Sequence, residues 1–357
     1  MLYKPDWEEA QRRLEAWWGC EVIERAAIAV EAPRAKPIPG CACPGPAEPE
    51  RFWTDIDYRL DLAEATFART HYGGEAFPHL DTGLGPGTLG LLLGAEPRWM
   101  PETIWYEPVI HDLSPRPSLR YDPGGRWWTF CRRLLGEAMR RGEGRFPVPL
   151  PDLIENLDTI AALRGTQELL IDLIEDPSGV HHLQEQVVPL FFRYYDQLYE
   201  MADGPRRGCG FISFNVWAHG RMAKLQCDIG ALISPRQFEQ LALPHFIRQC
   251  EGLEYVLWHL DGKETVAHLD MILELPNLKA VQWVANADGP PGGSPAWYPL
   301  YRKILSAGKA VTMFAHPGDV EPLIREFGPN GLLILTRVET EQEAADLLRQ
   351  ARRWRKQ

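Results

Sequence analysis

In the segment Tyr-Val-Leu-Trp-His-Leu-Asp-Gly at positions 255–262, an apolar run ends in His259 and Asp261. In an extended chain, residues two apart point the same way, so this imidazole and carboxylate would face one space. Such a pair can orient a proton-transfer imidazole, ligate a metal, or bind polar groups of a substrate. Asp261 alone would also serve as an N-cap for a helix starting near Lys263. Other apolar runs end in a similar way: at Asp152, at Asn215 and Trp217, at Gln282 and Trp283, at His316, and at Thr336 with Arg337. Asn215, Gln282 and His316 suit hydrogen bonding to a substrate, and Trp217 and Trp283 suit apolar walls. Asp228 precedes Ser234-Pro235, which reads as an N-cap followed by proline at the first helical position; that leaves Asp228 in a loop near the same ends, as a further candidate for substrate binding. His268 and Asp270 repeat the His-x-Asp spacing inside a helical pattern, where packing or surface exposure is the simpler expectation.

Side chains at run ends can converge only if the runs are parallel strands. From about residue 145 the chain alternates regularly. Short β-forming runs are Phe146–Leu150, Phe211–Val216, Tyr255–His259, Leu278–Val284, Ala310–Phe314 and Leu332–Leu335, and they alternate with helical patterns at Val180–Tyr199, Pro235–Cys250, Glu264–Leu275, Tyr298–Ala307, Val320–Phe327 and Glu341–Trp354. This is the signature of a parallel α/β sheet. Ala26–Ala32 adds a strand, and an eighth is expected within 79–112. The expected fold is therefore a (β/α)₈ TIM barrel, with its site at the C-terminal strand ends. Helices are expected at Trp7–Trp18, Asp57–Arg69 and 125–141. Residues 1–110 read as an N-terminal helical and irregular cap packed on the barrel, and 111–357 as the main part of a single barrel domain. The glycines of Leu84–Gly90 lack the Lys-Ser/Thr of a phosphate loop and the strand-loop-helix frame of a dinucleotide site.

A formal net charge of −11, with scattered basic residues, argues against a nucleic-acid partner. No apolar run is long enough to span a bilayer and the start has no signal-peptide pattern, so a cytoplasmic protein with no membrane partner is expected. The seven cysteines are odd in number and dispersed, which is no disulfide framework. Cys41 and Cys43 lack a second ligand pair and read as loop thiols. Thirteen tryptophans would either line a ring-shaped substrate pocket or fill the core.

The stretch from Cys227-Asp228-Ile229-Gly230 through Ser234-Pro235 to Pro244, the segment Tyr255–Gly262 with its following helix, and the final Glu341–Leu348 together resemble the uroporphyrinogen decarboxylase superfamily. The resemblance is diffuse, covers roughly residues 145–350, and is nearest to uncharacterised corrinoid-methyltransferase-like members. It implies a (β/α)₈ barrel with its site at the strand ends, and an enzyme of the decarboxylase or methyltransferase kind. The Met-Arg-Gln-Ala-Gly-Arg substrate motif of the true decarboxylases is absent, which argues against haem synthesis. The methyltransferase branch holds zinc with a His-x-Cys pair and a later Cys. His259 matches that His, but Asp261 stands in place of the first Cys and the last strand ends in Thr336. The resemblance therefore leaves open a divalent metal such as zinc on His259 and Asp261, or a metal-free site.

The leading expectation is methyl transfer between a small methylated compound and a corrinoid or thiol acceptor, with a corrinoid protein as a candidate partner. His259 and Asp261 would be catalytic. The alternatives are a decarboxylase of an aromatic or pyrrolic acid, using an Asp such as Asp81 or Asp228, and a carbohydrate-active barrel needing two carboxylates about 5–10 Å apart.

Overall fold

The computed structural model describes residues 1–211 and 213–356. At its centre lies one seven-stranded sheet. Its strands are β1 (Ala27–Pro33), β2 (Thr70–Gly74), β3 (Met222–Gln226), β4 (Tyr255–Asp261), β5 (Leu278–Val284), β6 (Ala310–Phe314) and β7 (Leu332–Arg337), in the spatial order β2-β1-β7-β6-β5-β4-β3. All neighbours run parallel except β2, which is antiparallel to β1. Runs such as Ala310–Met313 and Leu332–Leu335 are buried on both faces, as strands of a parallel sheet covered by helices must be. Helices Tyr298–Ser306, Pro317–Phe327 and Glu341–Ala351 follow β5, β6 and β7. On β2, Gly74 has φ +61 and any Cβ there would sit 2.1 Å from the Ile28 carbonyl oxygen; only glycine lets the antiparallel strand approach β1 so closely. Among the described residues no helix is long and apolar enough to cross a membrane.

The mixed α/β fold is as expected, but the hydrogen bonding does not show a closed eight-stranded barrel. β2 and β3 stand at the two edges of the sheet. Phe146–Leu150, expected as a strand, forms none, because Pro147, Pro149 and Pro151 remove every second N–H and with it one side of any ladder. The segment is extended and tied locally: Leu150 N donates to the Gly210 carbonyl (3.3 Å) and Thr82 Oγ1 to the Pro149 carbonyl (2.9 Å). Phe211–Val216, also expected as a sheet strand, instead spans a small antiparallel hairpin of Cys209–Phe211 and Val216–Ala218. Asn215 turns the chain there in the left-handed region at φ +49; Ile212 of that run lies outside the described residues.

The strand at that place in the sheet is β3, whose sequence Met-Ala-Lys-Leu-Gln looks too polar for a core strand. Its Lys224 and Gln226 are nonetheless buried. The region 79–112 supplies a separate hairpin, Glu96–Trp99 with Ile104–Glu107, and no strand of the main sheet. Residues 1–110 provide more than a covering layer, since β1 and β2 belong to the central sheet. Helices Asn156–Arg164 and Thr166–Glu175 were not expected, whereas those at Trp7–Trp18, Ile56–Arg69 and Arg126–Gly142 were.

Candidate active site

Strands β4 and β5 end level with one another, and β3 ends two residues short of them, opposite His259. Gln226 pairs across with His259, and His259 with Gln282, so three polar side chains form a row along one side of the sheet. Gln282 is fully buried and its amide orientation is fixed, because Nε2 donates to the Trp283 carbonyl at 3.0 Å. Its Oε1 therefore accepts from His259 Nδ1, which must carry the ring proton. That leaves Nε2 as the basic nitrogen, with Asp261 Oδ2 4.0 Å away. The His259 side chain is 14% exposed and that of Asp261 49%. Burial, with a contribution from Lys224, holds the imidazole below its ordinary pKa, so it is neutral at neutral pH and ready to accept a proton. Phe214 stacks on the imidazole at 5.3 Å and fixes its plane. Asp261 precedes the short helix Gly262–Thr265, but its carboxylate caps no backbone N–H. The carboxylate is therefore free for other work.

Beside this row lies a buried charged cluster that the sequence reading missed, apart from Asp152 and Asp228. Lys224 Nζ is 2.9 Å from Asp152 Oδ2 and bonds to Gln226 Oε1. Glu155 Oε1 accepts from Gln226 N at 2.6 Å, while its Oε2 has no partner. Asp158 accepts from the backbone N–H groups of Asp228 (2.8 Å) and Ile229 (3.0 Å). Burial lifts Glu155 well above the usual carboxylate range. Burial alone would lower Lys224, but Asp152 and Glu155 outweigh it and keep the ammonium charged. Asp228 keeps a solvent-facing side, yet packing against its neighbours and the charge of Asp158 push its carboxyl up to about 7. Gln226 Nε2 donates to Asp228 Oδ2 at 2.8 Å, connecting this acid to the row. The one clue available in sequence was the alternation Lys224-x-Gln226-x-Asp228, a period-two polar pattern ahead of a loop.

The other expected residues divide into two groups. Asn215 and His316 line a cleft of about 740 Å³, together with Glu31, His79 and Arg337. Asn215 Oδ1 is already engaged, accepting from Phe77 N at 2.9 Å. Thr336 edges the same cleft. Trp283 borders it too, but its ring is buried against Trp297 at 4.7 Å. Trp217 lies elsewhere: it packs on Trp7 at 5.8 Å and faces a different cleft, formed with Trp7–Ala16 of the first helix. Asp81 is committed to the backbone of Gly83 (2.7 Å) and to Arg59 (3.6 Å). His268, expected in a packing or surface role, packs: it is buried, stacks on Phe238 at 4.4 Å, and donates through Nε2 to the Gly230 carbonyl at 2.8 Å. It thereby holds the loop that carries Asp228. Asp270 is at the surface, 2.6 Å from Lys303 Nζ.

A zinc site usually takes at least three protein ligands. Here His259 and Asp261 supply two, and among the described residues no third His, Cys, Asp or Glu converges with them. The thiol beside Asp228, Cys227, is buried and held protonated by that burial. The residues present do not fit a catalytic zinc, and they do fit proton transfer. An imidazole with its basic nitrogen turned outward and an acid that titrates near neutrality sit at the ends of adjacent strands.

No family model and no curated protein matches the chain. Among solved structures, a methyltransferase from Methanosarcina mazei is similar in fold, with a TM-score of 0.62 over 96% of this chain and 98% of that one, at 12% sequence identity. At that identity the likeness is one of fold, extending over almost the whole of both chains.

Proposed function

We propose that the protein catalyses methyl transfer from a small methylated compound to a thiol or corrinoid acceptor at the ends of β3, β4 and β5. The observation that carries this reading is a neutral base, His259, and a near-neutral acid, Asp228, at the ends of adjacent strands, in a fold shared along its length with a methyltransferase. With a thiol acceptor, His259 Nε2 takes the thiol proton as the sulfur forms its bond to the methyl carbon. The bond from that carbon to the leaving atom breaks, its electron pair stays on the leaving atom, and Asp228 supplies that atom with a proton. Asp261 stabilises the imidazolium formed on His259. A corrinoid acceptor, arriving reduced and without a proton to lose, would need only the Asp228 arm.

The test is a panel of methylated amines, alcohols and thioethers, incubated with thiols and with reduced cobalamin, the acceptors then being analysed by mass spectrometry. A methylated acceptor that disappears with His259→Ala supports the reading. No methylated acceptor from any pair sinks it, and carbon dioxide released from pyrrolic or aromatic acids would put decarboxylation in its place.

The pH profile follows from the same two groups. Asp228 acts protonated, and its carboxyl lies at about 7, so activity should fall as pH rises through that value. His259 acts deprotonated and is held below its ordinary pKa, so the acidic limb should lie lower than a free imidazole's. Asp228→Asn should reduce the rate and remove the alkaline limb. An unchanged alkaline limb in that variant would exclude Asp228 as the acid.

A further inference from the structure

Away from the strand ends, helix Pro177–Met201 packs beside helix Leu243–Glu251. His181 and Glu185 lie one turn apart on the first helix, hence on one face, and His245 comes from the second. One ligand atom from each lies within 4.8 Å of the others. Glu185 Oε1 is 3.9 Å from His181 Nε2 and 3.7 Å from His245 Nδ1, and the two rings approach at 3.2 Å between His181 Nδ1 and His245 Nε2. His245 is 2% exposed, and its Nδ1 has no hydrogen-bond partner. A buried ring nitrogen left facing a carboxylate at 3.7 Å is too far for a hydrogen bond, and the gap suits an ion between them.

We propose that His181, Glu185 and His245 bind zinc or a kindred divalent transition ion, which clamps the two helices together. Two imidazoles and one carboxylate are a known zinc set, with the fourth position left to water. Bonds of about 2.0–2.1 Å would set tetrahedral ligands roughly 3.4 Å apart, so the carboxylate must draw in from 3.7 and 3.9 Å on the two rings, and the ligand atoms, all within 4.8 Å of one another, must close around the ion. His181 at 61% and Glu185 at 45% exposure leave a side open for that water. Arg248 holds Glu185 Oε1 at 2.6 Å, but its side chain is 42% exposed and can turn out to solvent as the ion enters. Burial holds His245 at about 4, so its nitrogen is unprotonated and able to ligate at neutral pH.

The full-length protein, stripped with a chelator, would be titrated with Zn²⁺ by calorimetry and with Co²⁺ by visible absorption. One saturable equivalent is expected, with tetrahedral or five-coordinate cobalt bands and a rise in Tm on adding zinc. Losing partners outside the ligand shell typically costs about 10–100-fold in metal affinity. His181→Ala and Glu185→Gln, both exposed and harmless to the core, should therefore each weaken binding by about 100-fold or more and abolish the Tm shift. His259→Ala should leave both unchanged. The proposal is overturned if no equivalent binds, or if binding survives both His181→Ala and Glu185→Gln.

Discussion

His259→Ala is expected to lower turnover by about 10²–10⁴-fold, the usual contribution of a positioned acid or base, while the protein still folds. The side chain is partly exposed and its loss empties little apolar volume, so no large cavity cost arises. Asp261→Asn should cost about 10²-fold through loss of the charge that stabilises the imidazolium. The double variant should be little worse than His259→Ala, because residues acting as a unit are disabled by losing either one. Since the Asp261 carboxylate caps no N–H, Asp261→Asn and Asp261→Ala should melt alike. Turnover and thermal melts on the four proteins test this together. An active, stable Asp261→Asn would leave His259 working without its partner. Additive losses would mean that the two residues act separately.

Lys224→Met should be the most destabilising single change near the site. Methionine preserves the stem but removes the ammonium that faces Asp152 at 2.9 Å, with both side chains almost fully buried. Breaking a buried pair by removing one partner typically costs about 3–5 kcal/mol, because the remaining charge is stranded. The cost should depend on pH in a definite direction. Glu155 has a folded-state pKa already raised well above its unfolded value, first by burial, and Lys224 is the cation that holds it down. Such a group favours folding fully below the unfolded carboxylate value, and that contribution is lost as pH rises through the folded one. Removing Lys224 raises the folded value further, so the variant should approach the parent at mildly acidic pH and diverge from it on the alkaline side. Urea midpoints at several pH values measure this. A difference below about 1 kcal/mol, or one that does not change with pH, would show that the ammonium does not balance the buried carboxylates.

Much of the frame was legible from periodicity alone. β1, β4, β5, β6 and β7 are apolar runs rich in branched residues, and the helices carry ordinary amphipathic patterns and start signals such as Ser234-Pro235. His259 and Asp261 could be picked out because a histidine and an aspartate two apart at the end of such a run have one obvious direction to face. The strand register then showed Gln282 beside His259, a contact that 22 intervening residues conceal in the linear chain.

What the sequence could not reveal was decided by groups whose burial depends on distant partners. β3 escaped notice because Lys224 and Gln226 look like surface residues until Asp152 and Glu155, some 70 positions earlier, surround them. Burial of a lysine is tolerable only with such partners, and their convergence is a tertiary event. The Phe146–Leu150 run misled in the opposite sense: its hydrophobicity suggested a strand, while prolines at 147, 149 and 151 forbade the ladder. Hydrophobic pattern set β1, β4, β5, β6 and β7 and the way each faces, but not β3. Only the packed chain decided which charges would be enclosed together, and with them the proton affinities of Asp228 and His259, because desolvation and the nearest charges set those affinities and neither exists until the strands meet.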